Sequence, residues 1–358
     1  MVSITIELFK EDGQMYITFL IGNGFDLNLG LKTRYVDFYD YYKEYASKES
    51  VILHWMQEDD DKGYWSDLEV ALGNKVKSID NGSVKDFFDA HEELDSLLLE
   101  YLEIEENKYN VEVLGKEILT EMIRSLTTIS KELTPEEQQS FENTYKASIN
   151  EEIQYWFITF NYTGVLDSMI EKMIKENIDL GSHSGSSGQK LKHSIGGVHH
   201  VHGTMTEGIV LGVNDESQIN NEFLVKNNMF KDIFLKGRIN NQMGQRRTER
   251  AEAIIDKSQF ICIFGMSLGI TDKRWWEKIV NWMLADSNRK LIIYARSEGN
   301  VLKRRIPTRI ILDRERVRRD LWEKGKGGRG IDTYERIKPR IIVIFNSKIF
   351  SFPKVDSP

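Results

Sequence analysis

The chain has 358 residues and a net charge of −8, with 40% hydrophobic and 29% charged residues, an ordinary soluble composition whose length fits two average domains or one α/β domain with a large insertion. No apolar run approaches the roughly 18 residues that a membrane-spanning helix needs, so we expect no membrane partner. The single cysteine, Cys262, excludes an internal disulfide and a cysteine-rich zinc site, and we therefore expect a cytoplasmic protein.

The first 14 residues carry acidic side chains early and lack a long apolar core, so they do not resemble a signal peptide. We expect them to form either an extra strand or a leader upstream of Met15. The run Met15–Ile21 is β-branched and aromatic and ends at glycine, which predicts a buried strand.

A glycine turn, Gly22-Asn23-Gly24, follows this strand. Aromatic residues then recur at helical spacing from Tyr35 to Tyr42, and Thr33 is a candidate N-cap for that helix. In such a strand-turn-helix unit, glycines let the backbone approach a phosphate or a ribose. A tight structural turn is the alternative interpretation of the same glycines.

Residues 49–152 form an acidic block that is predicted to be mostly helical from about Trp55. This block contains 26 acids and 9 bases, so its net charge is −17 and the rest of the chain must carry +9. Thr134 followed by Pro135 predicts the start of a helix. One amphipathic helix face is marked by Leu94, Leu97, Leu98, Tyr101 and Leu102.

Strand-like runs return after the acidic block. They are Trp156–Phe160, Ile209–Val213, Phe260–Phe264, Leu291–Ala295 and Ile341–Phe345. Because helical stretches separate them, they predict an α/β fold: a Rossmann-like, mostly parallel sheet covered on both faces. Gly181–Gly188 is predicted to be a flexible loop. The predicted organisation is a Rossmann-like core at 15–48 and 153–350, a helical insertion subdomain at 49–152, and terminal extensions at 1–14 and 351–358.

The basic residues concentrate near the C-terminus. Lys303–Arg319 contains 8 bases and 2 acids, and a shorter basic run lies at Gln245-Arg246-Arg247. These stretches could bind nucleic acid, or they could attract the acidic block as an autoinhibitory contact or an oligomer interface. No aromatic residues for base stacking are interleaved in the basic stretch, so a nucleic-acid partner is not favoured.

Polar residues follow three of the predicted strand regions. They are Asn161-Tyr162, His199–Met205, and Gly265 with Ser267 and Asp272. Open α/β sheets bind ligands at the carboxyl ends of their strands, so we expect one crevice shared with the glycine turn. Each residue also has a structural alternative: Asn161 and Asp272 could cap helices, and His202 could be a hydrogen-bonded structural histidine.

Three histidines within four residues raise the question of a metal. On a strand, His200 and His202 would share one face while His199 pointed away. No further carboxylate or histidine is close in sequence, so no metal is expected.

The N-terminal motifs resemble the AbiH family of bacterial phage abortive-infection proteins. The resemblance rests on Gly-Asn-Gly-Phe-Asp at Gly22–Asp26, the aromatic helix after Thr33, and Trp65-Ser-Asp-Leu-Glu69. Residues 15–295 also resemble, more remotely, sirtuin-like NAD-handling domains, with Gly22, Gly24 and Gly30 at matching positions.

The second resemblance implies roles for individual residues. Asn161 would lie in the nicotinamide pocket, His202-Gly203 would supply the base, and Asp26 would contact the ribose or stabilise positive charge. Trp65 and Glu69 would form a wall of the pocket, or else be a core residue and a surface charge. We predict Asp26, Asn161 and His202 as catalytic residues. The predicted NAD contacts are Gly22, Asn23, Gly24, Phe25, Thr33, Gly265, Ser267 and Asp272.

The chain departs from the sirtuin pattern at several positions. One cysteine cannot build the four-cysteine zinc module, so protein deacylation is not expected. Thr163 stands where the pattern has aspartate, Asp26 where it has serine, and Tyr35 where it has arginine. The resemblance therefore implies an anti-phage effector that hydrolyses NAD to nicotinamide and ADP-ribose. A nucleotide sensor without turnover and a nucleic-acid-targeting defence protein are the alternatives, and a phage-derived trigger and a homo-oligomer are further expectations.

Overall fold

The computed structural model describes residues 13–59, 61–113, 115–296 and 306–355. The strands are β1 (Gln14–Ile21), β2 (Glu152–Thr159), β3 (Ser182–Ser184), β4 (Lys190–His200), β5 (Gly203–Thr204), β6 (Gly208–Ile209), β7 (Ser258–Phe264), β8 (Lys290–Ala295) and β9 (Ile341–Phe345). The helices are α1 (Gly24–Leu29), α2 (Tyr35–Tyr45), α3 (Val51–Asp59), α4 (Leu68–Lys75), α5 (Val84–Glu106), α6 (Gly115–Thr127), α7 (Pro135–Ala147), α8 (Val165–Lys175), α9 (Glu222–Lys226), α10 (Asn228–Phe234), α11 (Lys236–Gln242), α12 (Arg247–Lys257), α13 (Lys273–Ala285), α14 (Pro307–Gly325) and α15 (Ile331–Ile337).

Seven strands form one large sheet in the order β3-β4-β2-β1-β7-β8-β9. Every neighbouring pair is parallel except β3 and β4, which are antiparallel. The two short strands β5 and β6 pair only with each other. The predicted α/β fold with a mostly parallel sheet is therefore confirmed.

Successive residues of the central strands enter two different cores, as the alternation of side chains along a strand requires. Phe19 of β1 and Cys262 of β7 join a core with α6, α7 and α8. Leu20 of β1 and Ile261 of β7 join a second core with α12, α13 and α14. Because both faces are covered, the central strands are apolar on both sides, which explains the continuous apolar runs in the sequence.

The helices of the acidic block do not share one core. Helices α3, α4 and α5 pack with α2 and with residues 211–235 in a third core. Helices α6 and α7 instead pack on the sheet, where Phe141 contacts Phe260 with ring centroids 4.3 Å apart. Thr134 accepts a hydrogen bond from the Glu137 amide in a capping box, which confirms the predicted helix start.

Two element predictions between residues 181 and 213 are wrong. Ile209–Val213 does not enter the large sheet, since only Ile209 belongs to a strand, β6. The sheet strand is β4, whose sequence has histidines, lysines and two glycines rather than an apolar run. A Cβ at Gly196 would lie 2.2 Å from the Trp156 ring, so this strand glycine makes room for the indole. Gly181–Gly188 was predicted as a loop but contains the edge strand β3.

The C-terminal segment packs on the core as far as it is described. Phe352 is buried against Phe25, with ring centroids 5.6 Å apart, and the Val355 amide donates to the Leu29 carbonyl at 2.8 Å. Of residues 1–14, predicted as an extra strand or a leader, residues 1–12 lie outside the described residues, and Gln14 begins β1. A search of the described helices finds none with the length and apolarity to cross a membrane.

Candidate functional site

The glycine turn after β1 is packed against the loop that follows β7. The Gly22 amide donates to the Phe264 carbonyl at 3.0 Å, and the Gly24 amide donates to the Gly265 carbonyl at 2.7 Å. A Cβ on Gly24 would lie 2.5 Å from the Gly265 Cα, so a side chain there would separate the two loops. These glycines therefore permit the main chain of the Gly265 loop to approach the glycine turn closely.

Asn23, Phe25 and Thr33 make contacts within the protein. Asn23 Nδ2 donates to the Thr33 carbonyl at 2.9 Å, and the Thr33 hydroxyl donates to Asn23 Oδ1. The N-cap of α2 is Arg34, so the prediction of Thr33 as that N-cap is wrong by one position. Phe25 is fully buried among Phe264, Phe350 and Phe352.

Asp26 is the centre of a buried polar cluster, which we call the aspartate cluster and which comprises Asp26, Asn161 and Thr163. Asn161 Nδ2 donates to Asp26 Oδ1 at 2.9 Å, and the Thr163 hydroxyl donates to Asp26 Oδ2 at 2.7 Å. All three side chains are buried. Asn161 does not cap a helix, because α8 begins after Gly164. The carboxylate instead fixes the Asn161 amide so that its Oδ1 points away from Asp26.

Burial raises the pKa of Asp26 from its ordinary value of 3.8 to about 7. The hydrogen bonds from Thr163 and Asn161 oppose this shift because they stabilise the carboxylate, while the charge of Glu106 adds to it and that of His200 opposes it. Desolvation is the largest cause, so a proton binds Asp26 more tightly in the folded protein than in the unfolded chain.

We therefore expect the free energy of unfolding to fall as the pH rises from about 4 to about 7. In this window the folded protein holds a proton on Asp26 that the unfolded chain has released, so raising the pH favours unfolding. In Asp26→Asn the free energy of unfolding should decrease by up to about 4 kcal/mol less over this pH range than in the wild type. Urea unfolding between these pH values measures it, and Asp89→Asn, at an exposed position of α5, should keep the wild-type slope. Equal slopes in Asp26→Asn and wild type would contradict the shift.

His200 holds Asn161 from the other side, and sequence reasoning did not assign it a role. Its Nδ1 lies 3.0 Å from the Asn161 carbonyl oxygen and its Nε2 lies 2.8 Å from Asp167 Oδ2. Both partners are acceptors, so both ring nitrogens must carry protons. Burial lowers the pKa of His200, but the hydrogen bond and charge of Asp167 and the Asn161 carbonyl outweigh it, and the pKa is raised. The raised pKa and the two acceptors favour the imidazolium form of the ring, paired with Asp167.

A second group of polar residues, which we call the lysine cluster, comprises the buried Glu69, His202 and Lys236 and the half-buried Asp272. Lys236 Nζ lies 2.7 Å from Glu69 Oε2 and 3.5 Å from His202 Nε2. Burial, followed by the charges of Lys236 and Arg247, holds the pKa of His202 well below its usual value, so its imidazole is neutral at pH 7. Burial raises the pKa of Glu69 to about 7, although Lys236 opposes the shift. Glu69 is not the surface charge of the alternative interpretation.

Asp272 occupies the N-cap position of α13 without capping it, because its side chain accepts no hydrogen bond from that helix. Burial raises the pKa of Asp272, and the nearby charge of Lys236 opposes the shift. Its Oδ1 is buried and has no partner among the described residues. Ser267 is exposed on the same loop. Asp272 therefore does not cap α13, and its carboxyl group lies near enough to Lys236 for that charge to act on it.

The histidines of the stretch His199–Met205 diverge. His199 Nε2 contacts the Arg247 carbonyl at 2.6 Å, and His200 contacts Asp167 on α8. His202 packs on Phe160 and Lys236 instead, so the prediction that it shares the strand face of His200 is wrong. The strand ends at His200, and its alternation does not extend to His202. Within the described ranges no group of His, Cys, Asp and Glu is arranged to hold a metal ion.

Several bases of the basic stretches are paired with acids where they are described. Arg247 is buried, with its guanidinium 3.2 Å from Glu207 Oε2. In α14, Arg309 pairs with Asp313 at 3.0 Å and Arg319 with Glu315 at 3.0 Å. The acids that pair with α14 thus belong to that helix rather than to the acidic block. Lys303, Arg304 and Arg305 lie outside the described residues.

The predicted catalytic residues belong to neighbouring strand ends. Asn161 follows β2 and His202 follows β4, two strands that pair in parallel, while Asp26 follows β1 on the other side of β2. Asn161 and Asp26 are in direct contact, whereas His202 belongs to the lysine cluster. Lys236, Asp167 and His200 were missed. A lone lysine in a polar helix such as α11 gives no sequence signal that it will be buried.

The fold and these clusters define an α/β protein whose buried polar residues gather beyond the carboxyl ends of a mostly parallel sheet. The family model described as bacteriophage abortive infection AbiH matches residues 18–294, and the chain belongs to this family of phage-defence proteins. The predicted membership is therefore confirmed. A search of curated proteins finds no match.

Proposed function

We propose that this AbiH protein is an abortive-infection effector that binds NAD and hydrolyses its N-glycosidic bond, releasing nicotinamide and ADP-ribose. The family supplies the defence role. The order of the strands in the sheet supports a nucleotide ligand, and the aspartate cluster supports the reaction.

The order of the strands supports a nucleotide ligand. The six parallel strands run β4-β2-β1-β7-β8-β9, which is third-second-first-fourth-fifth-sixth in chain order. This is the order of Rossmann-like dinucleotide-binding sheets, which bind their ligand where the strand order reverses. Here the reversal lies between β1 and β7, and the glycine turn and the Gly265 loop meet there.

The observation that carries the proposal is the unpaired Oδ1 of Asn161. The residue is 8% exposed, its Nδ2 is fixed on Asp26, and its Oδ1 has no partner in the described part of the chain. Buried polar atoms are almost always hydrogen-bonded, so this oxygen calls for a ligand or a water molecule. An amide oxygen held in this way can accept from a ribose hydroxyl or orient an attacking water.

The chemistry of NAD cleavage matches these groups. The leaving nicotinamide is cationic in the substrate, so the barrier is the positive charge that develops on the ribose. The Asp26 carboxylate, which accepts the hydrogen bond from Asn161 Nδ2, would stabilise that charge. A neutral His202 would accept a proton from a ribose hydroxyl or from water, a role typically worth 10²–10⁴-fold. Thr163 supplies a hydroxyl where the sirtuin pattern has a carboxylate, and Asp26 supplies the carboxylate from α1, which follows the neighbouring strand β1.

The test is release of nicotinamide from NAD by the purified full chain, with and without extract of phage-infected cells as the source of a phage-derived trigger. We expect Asn161→Ala and His202→Ala each to lower the rate by about 10²-fold or more. The rate should also rise as the pH rises through about 7, because Asp26 ionises there. Full activity in Asn161→Ala would exclude the proposed site.

Matched controls separate catalysis from folding. Asn143→Ala and His54→Ala remove the same side-chain types at exposed positions and should keep wild-type turnover. Circular dichroism establishes that each variant is folded. If neither infected nor uninfected extract elicits nicotinamide release, the hydrolase proposal fails.

One observation favours a second candidate, a nucleotide sensor without turnover. Burial, and then the charge of Lys236, whose Nζ lies 3.5 Å from His202 Nε2, hold the pKa of that imidazole low, which weakens it as a base. A sensor would bind NAD with a measurable Kd and release no nicotinamide, and calorimetry run beside the turnover assay distinguishes the two.

A further inference from the structure

The last turn of α5 carries two glutamates whose side chains are withdrawn from solvent. Glu105 is 3% exposed and Glu106 is half-buried. Carboxylates are unfavourable at this end of a helix, where the helix dipole is negative, and no base lies in the last turn of α5. Lys108, beyond the end of the helix, pairs with Glu105 Oε1. The other carboxylate oxygens need donors from outside the helix, because buried polar atoms are almost always hydrogen-bonded.

Glu105 and Tyr101 of α5 hold the segment that follows α1. The main-chain amide of Lys32 donates to Glu105 Oε2 at 2.9 Å, and the Tyr101 hydroxyl donates to the Lys32 carbonyl at 2.7 Å. The preceding amide, that of Leu31, donates to the Asp26 carbonyl at 3.1 Å. Helix α5 therefore binds both main-chain groups of a residue whose neighbour is bonded to the main chain of Asp26.

Glu106 holds the loop between β2 and α8. Its Oε2 accepts a hydrogen bond from the Gly164 amide at 2.8 Å. Gly164 follows Thr163, whose hydroxyl donates to Asp26 Oδ2 at 2.7 Å, and Asn161 of the same loop donates to Asp26 Oδ1 at 2.9 Å. The last turn of α5 is therefore bonded to both segments that fix Asp26, one through its main chain and one through its carboxylate.

We propose that Glu105 and Glu106 are positioning residues of the candidate site, which fix the two segments around Asp26 and thereby hold the Asn161 side chain in place. Without these acceptors, the amides that they bind would have to find water, and both segments would move relative to α5. A displacement of about 1 Å at a reacting group costs about 10²-fold in rate. The effect on a reaction rests on the proposed function, whereas the positioning itself needs no ligand.

Glu106 also acts on Asp26 through its charge. Burial is the main cause of the raised pKa of Asp26, the two hydrogen bonds that Asp26 accepts oppose it, the charge of Glu106 adds to it and that of His200 opposes it. Burial raises the pKa of Glu106 as well, the amide that it binds opposes this shift, and the charges of Asp167 and Glu103 add to it while His200 opposes it. Glu106→Gln removes the charge and keeps an acceptor oxygen, so the pKa of Asp26 should be lower in this variant.

Hydrogen–deuterium exchange of the full chain without ligand, followed by NMR, tests the positioning at amides next to those that the glutamates bind. Glu105→Leu should speed the exchange of the Leu31 amide and Glu106→Leu that of the Asn161 amide, each by about tenfold, the effect of one lost hydrogen bond. Glu92→Leu, at an exposed position of α5, should exchange like wild type. Unchanged exchange at both amides in the folded variants would overturn the proposal.

The titration of Asp26 distinguishes Glu106 from a residue that only stabilises the fold. Isotope labelling of the aspartate carboxyl groups gives the pKa by NMR, with Asp26→Asn identifying the signal. Glu106→Gln should shift the titration of Asp26 to lower pH, whereas Glu92→Gln should leave it at the wild-type position. Equal titration of Asp26 in Glu106→Gln and wild type would overturn the assignment of Glu106.

Turnover of NAD connects the positioning to the proposed reaction. Glu106→Leu should lower kcat for nicotinamide release by about tenfold or more and leave KM near that of wild type, because it displaces groups that act on the reacting bond. In Glu106→Gln the rate should rise at a lower pH than in wild type. Wild-type kcat in folded Glu106→Leu would overturn the positioning role. If wild type releases no nicotinamide, the hydrolase proposal fails, and the exchange and titration results decide the role of the two glutamates.

Discussion

Glu69→Leu is expected to lower the free energy of unfolding by about 3–5 kcal/mol at pH 8. At this pH Glu69, whose pKa is raised to about 7, is mainly ionised and paired with Lys236. Both side chains of the pair are 6% exposed, so the substitution leaves an ammonium group buried without its carboxylate. Urea unfolding at pH 8 measures the loss.

A double variant shows whether the loss comes from the pair. Glu69→Leu/Lys236→Met replaces both charges by apolar groups and should recover most of the stability, because a buried pair gains little over well-packed hydrocarbon. Asp89→Leu breaks the exposed Lys85–Asp89 pair, whose charged atoms lie 3.9 Å apart, and should change the stability by less than about 0.5 kcal/mol. A Glu69→Leu loss under about 1 kcal/mol would mean that Lys236 finds water or another partner.

Gly265→Ala is expected to cost about 3 kcal/mol or more. Gly265 has φ +71°, in the left-handed region, and a Cβ there would lie 2.6 Å from the Phe25 amide nitrogen and 2.9 Å from the Gly22 oxygen. The neighbouring atoms are main chain on both sides, so no rotamer change relieves the overlap. The β1 and β7 loops would have to separate, and the hydrogen bond from Gly24 to Gly265 would lengthen.

Gly237→Ala is the matched control for this substitution. Gly237 lies in α11, and no atom comes within 4 Å of a Cβ built there. Alanine is a better helix former than glycine, so this variant should gain about 0.5–1 kcal/mol. Thermal and urea unfolding of both variants gives the comparison. Equal stability of the two would contradict the assignment of Gly265 as the contact between the loops.

The sequence predicted those parts of the fold that depend on local chemistry. Apolar runs at Met15–Ile21 and Ile341–Phe345 became strands β1 and β9, because strands buried on both faces need continuous hydrocarbon. The capping box at Thr134 set the start of α7. β4 was missed because, near the edge of the sheet, its pairing is carried by main-chain hydrogen bonds that polar and glycine residues also make.

Part of the candidate site was also predictable. Asp26 and Asn161 were selected because each follows a strand at a turn motif, and the structure brings them into contact at 2.9 Å. The roles of Thr163, His200 and Lys236 were not predictable. Each depends on a partner from another segment, such as Asp26 for Thr163 and Glu69 for Lys236, and sequence spacing does not encode the distance between segments.

The sequence by itself determined the α/β class, the membership in the AbiH family, and the type of polar residue at each strand end. Only the tertiary structure decided that the glycine turn packs on the Gly265 loop and that a buried lysine lies beside His202. The physical reason is the range of the forces. Hydrophobic periodicity and caps act within a few residues, whereas burial, pKa shifts and unpaired hydrogen-bonding atoms arise only when distant segments exclude water together.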